Sequence, residues 1–96
     1  MTESGWQDNG QCIVCGPRNE YGLHLHFKTG DDGAEAQGTV PEHLQGYAGR
    51  AHGGVIAAIL DDAMFYAVAA KGLLGVTAEM KVRFKRPLDT SRPFRV

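Results

Sequence analysis

Residues 48–72, AGRAHGGVIAAILDDAMFYAVAAKG, decide the fold. After the glycine pair the stretch is apolar almost without interruption, contains no proline, and ends on Lys71-Gly72. A basic residue followed by glycine is a helix C-terminus signature, so the stretch predicts one long helix. At roughly 100° per residue, Ile56, Ile59, Leu60, Ala63, Ala67 and Ala70 form one stripe. The opposite side carries Ala58, Phe65 and Ala69, which is not a solvated face. The helix is therefore expected to be covered twice, by its own sheet along the stripe and by a second copy of the chain on the other side. Asp61 and Asp62 interrupt the apolar run and are expected on the two flanks of the non-stripe side. An unpaired carboxylate there costs several kcal/mol or stays protonated. The structural reading is an ion pair with Arg50 or a strand arginine; the alternative is that the carboxylates do chemistry.

Upstream, LHLHFK (residues 23–28) alternates Leu23, Leu25 and Phe27 against His24, His26 and Lys28, the pattern of a half-buried strand. TGDDG predicts a hairpin turn, and AEAQGTV a weaker second strand. PEHLQGYAGRA reads as a loop with turn signals at Pro41, Gly46 and Gly49. Downstream, VTAEMKVRFKRPL alternates Val76, Ala78, Met80, Val82 and Phe84 against Thr77, Glu79, Lys81, Arg83 and Lys85, and Pro87 ends it. Strands around one helix that cannot be solvated indicate an α+β fold, an antiparallel sheet wrapped on that helix.

Length allows one small domain: 96 residues, 43% hydrophobic, with a net charge of −1. Residues 1–10 are polar and expected to be flexible, leaving residues 11–96 as the domain. A chain this short is marginal alone, and self-association would help it. The charge balance gives no reason to expect nucleic acid or a membrane surface. No basic, apolar leader opens the chain, and Asp61 and Asp62 break the longest apolar run, so neither export nor a membrane span is expected. Two cysteines without an export signal fit a reducing, cytoplasmic setting.

The helix start carries the strongest chemical signal. Gly53, Gly54 and Val55 offer backbone N–H groups without intrahelical partners, backed by the positive end of the helix dipole. Glycines let a carbonyl oxygen approach closely, which is the geometry of an oxyanion hole. The structural alternative is a tight turn into a crowded helix.

RAHGGVIAAILDDAMFYAVAA followed by VTAEMKVRFKRPL, with CIVCGPRNEYGLHLHF upstream, resembles the hotdog-fold acyl-coenzyme A thioesterases, in particular those like the phenylacetate-pathway thioesterase. The most specific part is His-Gly-Gly with an aspartate nine positions after the histidine, here Asp61. The resemblance implies that Asp61 acts on the thioester as nucleophile or general base and that the N–H of Gly54 polarises its carbonyl. It implies further that His52 and Gly53 lie beside the substrate. Gln45 stands in the loop where relatives carry an amide side chain that contacts the carbonyl or water. Asp62 stands where a subgroup has a second acid, with no fixed role. Hotdog sheets continue with further strands, so the C-terminal strands are expected to be missing from a chain ending in RPFRV. The implied substrate is an acyl-CoA, the implied assembly a homodimer or a dimer of dimers (a homotetramer), and neither cofactor nor metal is implied. A non-catalytic acyl-CoA-binding module is the alternative.

Two further features were weighed. Cys12-x-x-Cys15 with His24 and His26 makes a Cys2His2 zinc site conceivable, but no second CxxC exists and the expectation is semi-buried thiols without metal. Lys81, Arg83, Lys85 and Arg86 offer a basic rim for the nucleotide end of coenzyme A, against the plainer reading of a solvated strand face.

Overall fold

The computed structural model describes residues 6–96. The expectation of a flexible N-terminus falls partly on residues 1–5, which lie outside the described residues. From Asp8 onward the backbone is tied down: Asp8 Oδ1 accepts the Gly10 N–H at 2.9 Å, and Gly10 O accepts the Arg18 N–H at 2.8 Å.

The elements are β1 (Lys28–Gly30), β2 (Gly33–Glu35), β3 (Gln37–Gly38), a 3-10 turn (Glu42–Leu44), α1 (Gly53–Ala69) and β4 (Phe94–Arg95). Both strand pairs, β1 with β2 and β3 with β4, are antiparallel. The chain is thus of the expected α+β class, with antiparallel pairing and one long helix. Its buried core is Val14, Leu25, Phe27, Ala36, Val40, Ala51 and Ile59.

The alternation in residues 23–28 holds side chain by side chain: Leu25 and Phe27 are buried between exposed His24 and His26. The ladder begins only at Lys28, however. Before it, the Leu23 and Leu25 N–H groups bond to Ile13 O and Val14 O at 2.9 and 2.8 Å, so the segment is tied to the N-terminal turn. The hairpin turns on Asp31-Asp32, and Lys71 Nζ donates to Asp31 O at 2.6 Å.

Residues 76–85 do not form the predicted strand. The segment is extended, but among the described residues none of 73–87 enters a backbone–backbone hydrogen bond. Alternation sets which side chains face which way; a strand also needs a neighbour with free backbone groups, and this chain presents none there. The segment instead runs along α1, leaving Leu73, Leu74, Val76 and Phe84 exposed. It returns to the body where Ala51 N–H bonds to Leu88 O at 2.8 Å and Thr90 N–H to Gly49 O at 3.0 Å. Ser91 N–H then bonds to Val40 O at 2.7 Å, and Ala36 and Val96 exchange two bonds beside β3 and β4. The last residues of the chain therefore clamp the loop that leads into α1.

α1 starts after His52 and is closed by Gly72, whose φ of 81° takes the left-handed turn predicted for a terminal glycine. Ile59 is its sole fully buried residue. The inward row follows Val55, Ile59 and Tyr66, with Tyr66 stacked on Phe27 at 4.8 Å between ring centroids. Asp62, at i+3 from Ile59 and i−4 from Tyr66, is half-buried at the edge of that row and also lines the open cleft that holds Asp61. Among the described residues no helix is long and apolar enough to cross a membrane.

Candidate functional site

The loop into α1 is closed by its own groups. Gln45 pairs with Ala51 in an isolated bridge, and its side-chain Oε1 accepts the Gly49 N–H at 3.0 Å. Gln45 thus staples the loop. His52 then caps the helix twice. Its carbonyl accepts the N–H groups of Val55 and Ile56 at 2.9 and 3.1 Å, and its Nδ1 accepts the Gly54 N–H at 2.9 Å. An Nδ1 that accepts carries no proton, so the ring proton sits on Nε2. Gly53 is left, among the described residues, with the one N–H of the first turn that has no acceptor. It lies at the positive end of a 17-residue helix.

Gly53 and His52 line an open cleft of about 510 Å³ with Tyr47, Ile56, Phe84 and Pro87. Arg50, Lys85 and Arg86 also line it. Arg50 is held by an ion pair to Asp89, so the expected partner for Asp61 or Asp62 is engaged elsewhere. A Cβ on Gly53 would stand 3.6 Å from the Phe84 ring, whereas one on Gly54 would stand 3.1 Å from His52 Nδ1. Gly54 opens on another side, onto an apolar cleft of about 410 Å³ lined also by Ile13, Tyr21, Leu23 and Leu44.

Asp61 and Asp62 both line a third cleft, about 630 Å³, between Met64, Phe65 and Val68 of α1 and residues 75–79. The Asp61 carboxylate accepts a hydrogen bond from the Thr77 hydroxyl. One chain therefore brings His52, Gly53 and Gly54 together at the helix start and holds Asp61 two turns away, while Gln45 staples the loop that leads into the helix. Of the basic cluster, Lys85 and Arg86 reach the Gly53 cleft, and Lys81 borders α1 further along.

A second group of polar side chains lies on the inward row of α1. The Tyr66 hydroxyl donates to Cys15 Sγ at 3.2 Å. Burial pushes the Cys15 thiol up to about 12, opposed by the Tyr66 hydrogen bond and reinforced by Asp62. The hydrogen bond to Cys15 and burial also raise Tyr66. Asp62 is raised by burial first; the nearby Cys15 thiol opposes this only in part, and the Asp61 charge adds to it. Asp62 Oδ2 is buried without a hydrogen-bond partner. Sequence alone marks Asp62 and Tyr66 as i, i+4 neighbours on a helix. Nothing local links them to a cysteine about fifty residues upstream.

In comparisons with known proteins, no curated protein and no solved structure matches the chain. A family model does: that of the thioesterase superfamily matches residues 48–96, from the loop before His52 through α1 and the clamp that follows. The match spans half of the chain and includes the helix start, Asp61 and both clefts' α1 residues. The chain belongs to the thioesterase superfamily, the group with the hotdog fold.

Proposed function

We propose that the protein is an acyl-CoA thioesterase that hydrolyses an acyl thioester to a free acid and coenzyme A. The observation that carries this reading is the helix start: a Gly53 N–H with no acceptor among the described residues, on the cleft rimmed by Lys85 and Arg86, and next to it a Gly54 N–H on the neighbouring apolar cleft, capped by the exposed His52 ring. Backbone donors at a helix N-terminus stabilise the oxyanion that forms when the thioester carbonyl is attacked. The carbonyl oxygen takes the place of His52 Nδ1 at the Gly54 N–H, at the positive end of the helix. Lys85 and Arg86 suit the phosphates of the coenzyme, and Tyr47 and Phe84 give apolar wall beside them.

Asp61 is the base or nucleophile of this reading. As a base it takes a proton from water while the water oxygen bonds to the carbonyl carbon. The tetrahedral oxyanion then collapses, the C–S bond breaks, and the leaving thiolate takes up a proton. As a nucleophile its carboxylate bonds to the carbonyl carbon, the C–S bond breaks, and the coenzyme thiolate leaves and takes up a proton. Water then opens the resulting anhydride to the free acid and the Asp61 carboxylate. Either route needs the attacking atom about 3–3.5 Å from the carbonyl carbon. Gly54 and Asp61 are seven residues apart on one helix, about 10 Å at 1.5 Å per residue. An antiparallel second copy answers this, with its Asp61 opposite the first chain's Gly54. The two-fold homodimer then has two equivalent sites, and pairs of such dimers extend the same interface logic to a tetramer.

The alternative is an acyl-CoA-binding module without turnover. The observation that favours it is that Gly54 and Asp61 line separate clefts within one chain. A free-thiol assay over a panel of acyl-CoA substrates separates the two. Turnover by the wild-type chain that Asp61→Asn abolishes supports the thioesterase. Saturable acyl-CoA binding with no thiol release by the dimeric protein rejects it.

A further inference from the structure

The Cys12-x-x-Cys15 turn ends against α1 beside Asp62, whose Oδ2 is buried with no hydrogen-bond partner among the described residues. We propose that Cys12, Cys15 and Asp62 form a zinc-class metal site that fastens this turn to the middle of the helix. The proposal is independent of the thioesterase reading.

The sulfurs of Cys12 and Cys15 and a carboxylate oxygen of Asp62 all lie within 4.8 Å of one another. Around a tetrahedral zinc ion, bonds of about 2.3 Å to sulfur and 2.0–2.2 Å to oxygen place such donors about 3.5–3.8 Å apart. Closing that difference needs side-chain rotation, not backbone movement. The turn is already shaped to hold a sulfur. Cys12 Sγ accepts the N–H groups of Val14 and Cys15 at 3.4 and 3.5 Å, and Gly16 N–H bonds to Cys12 O at 2.9 Å. A Cβ on Gly16 would come within 2.3 Å of the Cys12 backbone nitrogen, so this turn admits no side chain there. Tyr66 donates to Cys15 Sγ from the helix, an outer hydrogen bond that orients a metal-bound thiolate.

Two hydrogen-bonded thiols alone do not account for Asp62. A buried carboxylate oxygen with no hydrogen-bond partner among the described residues is costly. A divalent ion supplies what that oxygen lacks. Two thiolates select a borderline-soft ion such as zinc over magnesium or calcium. Three protein donors leave the fourth tetrahedral position to solvent, which the half-exposed cluster admits. This differs from the ligand set conceivable from sequence. His26 is not in the cluster, and His24 Nε2 is engaged with Asn19 O. It also reverses the expectation of a metal-free chain.

The test is a titration of the full chain, reduced and shown by thiol counting to have both cysteines free, with cobalt(II) and then with zinc. The expected result is a thiolate-to-cobalt charge-transfer band saturating at one equivalent, lost on adding zinc, and about one zinc per chain retained through dialysis. Cys12→Ser or Cys15→Ser should abolish the band. Asp62→Asn, nearly isosteric, should weaken zinc binding at least about tenfold, while Asp61→Asn leaves it unchanged. No charge-transfer band from the reduced wild-type chain, which needs no variant to fold, overturns the proposal. So does an affinity that Asp61→Asn lowers as much as Asp62→Asn.

Discussion

Asp61 and Asp62 are adjacent in sequence and face different tasks. Both line the apolar cleft beside residues 75–79, where Asp61 is held by the Thr77 hydroxyl, while Asp62 also reaches inward to the Cys12 and Cys15 thiols. Asp61→Ala is therefore expected to lose far more thioester turnover than Asp62→Ala, by about 10²-fold or more, the lower range for a general base. Steady-state assays of the two variants check this, and equal losses contradict it. His52 has a structural duty as well as its place beside the cleft. Removing its Nδ1 leaves Gly54 without a cap, so His52→Ala should cost about 1 kcal/mol, or roughly 4–8 °C in Tm for a domain of this size. Thermal unfolding reads this directly. The place of His-Gly-Gly at the helix start and of Asp61 two turns along it was legible in the sequence because both lie on one helix, while the role proposed for Asp61 rests on the family resemblance. The environment of Asp62 was not legible, because it is made by Cys15 and Tyr66, and only folding brings the cysteine turn to the helix.

At the scale of elements, the helix was legible and one strand was misread for a physical reason. The apolar run, the terminal glycine and the missing polar face all belong to α1 itself, so local sequence contains them. Residues 76–85 alternate as a strand does, yet a strand exists only with a partner, and pairing is not a local property. Amides of residues 73–87 should accordingly exchange with solvent almost unprotected in the monomeric chain, and become protected where a second copy covers the segment. Hydrogen exchange at two protein concentrations checks this; strong protection at high dilution contradicts it. The cysteine turn makes a sharper prediction. Gly16→Ala drives a methyl into the Cys12 backbone and should destabilise the chain by about 1–3 kcal/mol or more, measured by urea unfolding. The hairpin was found by its Asp-Gly signals but turns one residue earlier than those signals indicate, on Asp31-Asp32, with Gly33 already paired to Gly30.

The whole molecule leaves its main helix only half covered. Ile59 alone is fully buried in α1, and Met64 and Val68 remain 45% and 47% exposed on the side that carries Asp61. A helix without a polar face is stable when something covers it, and in the proposed dimer a second copy would cover the apolar side and bridge the distance between Gly54 and Asp61. Subunit complementation tests that claim most directly. Asp61→Ala chains are mixed with Gly54→Val chains, whose added side chain closes the approach to the helix start. Each parent is first shown to be dimeric and inactive. With free exchange, half of the dimers are hybrids holding one intact site, so the account predicts about a quarter of wild-type turnover per chain. Hybrids that form, as shown by subunit exchange, yet release no thiol contradict the shared site.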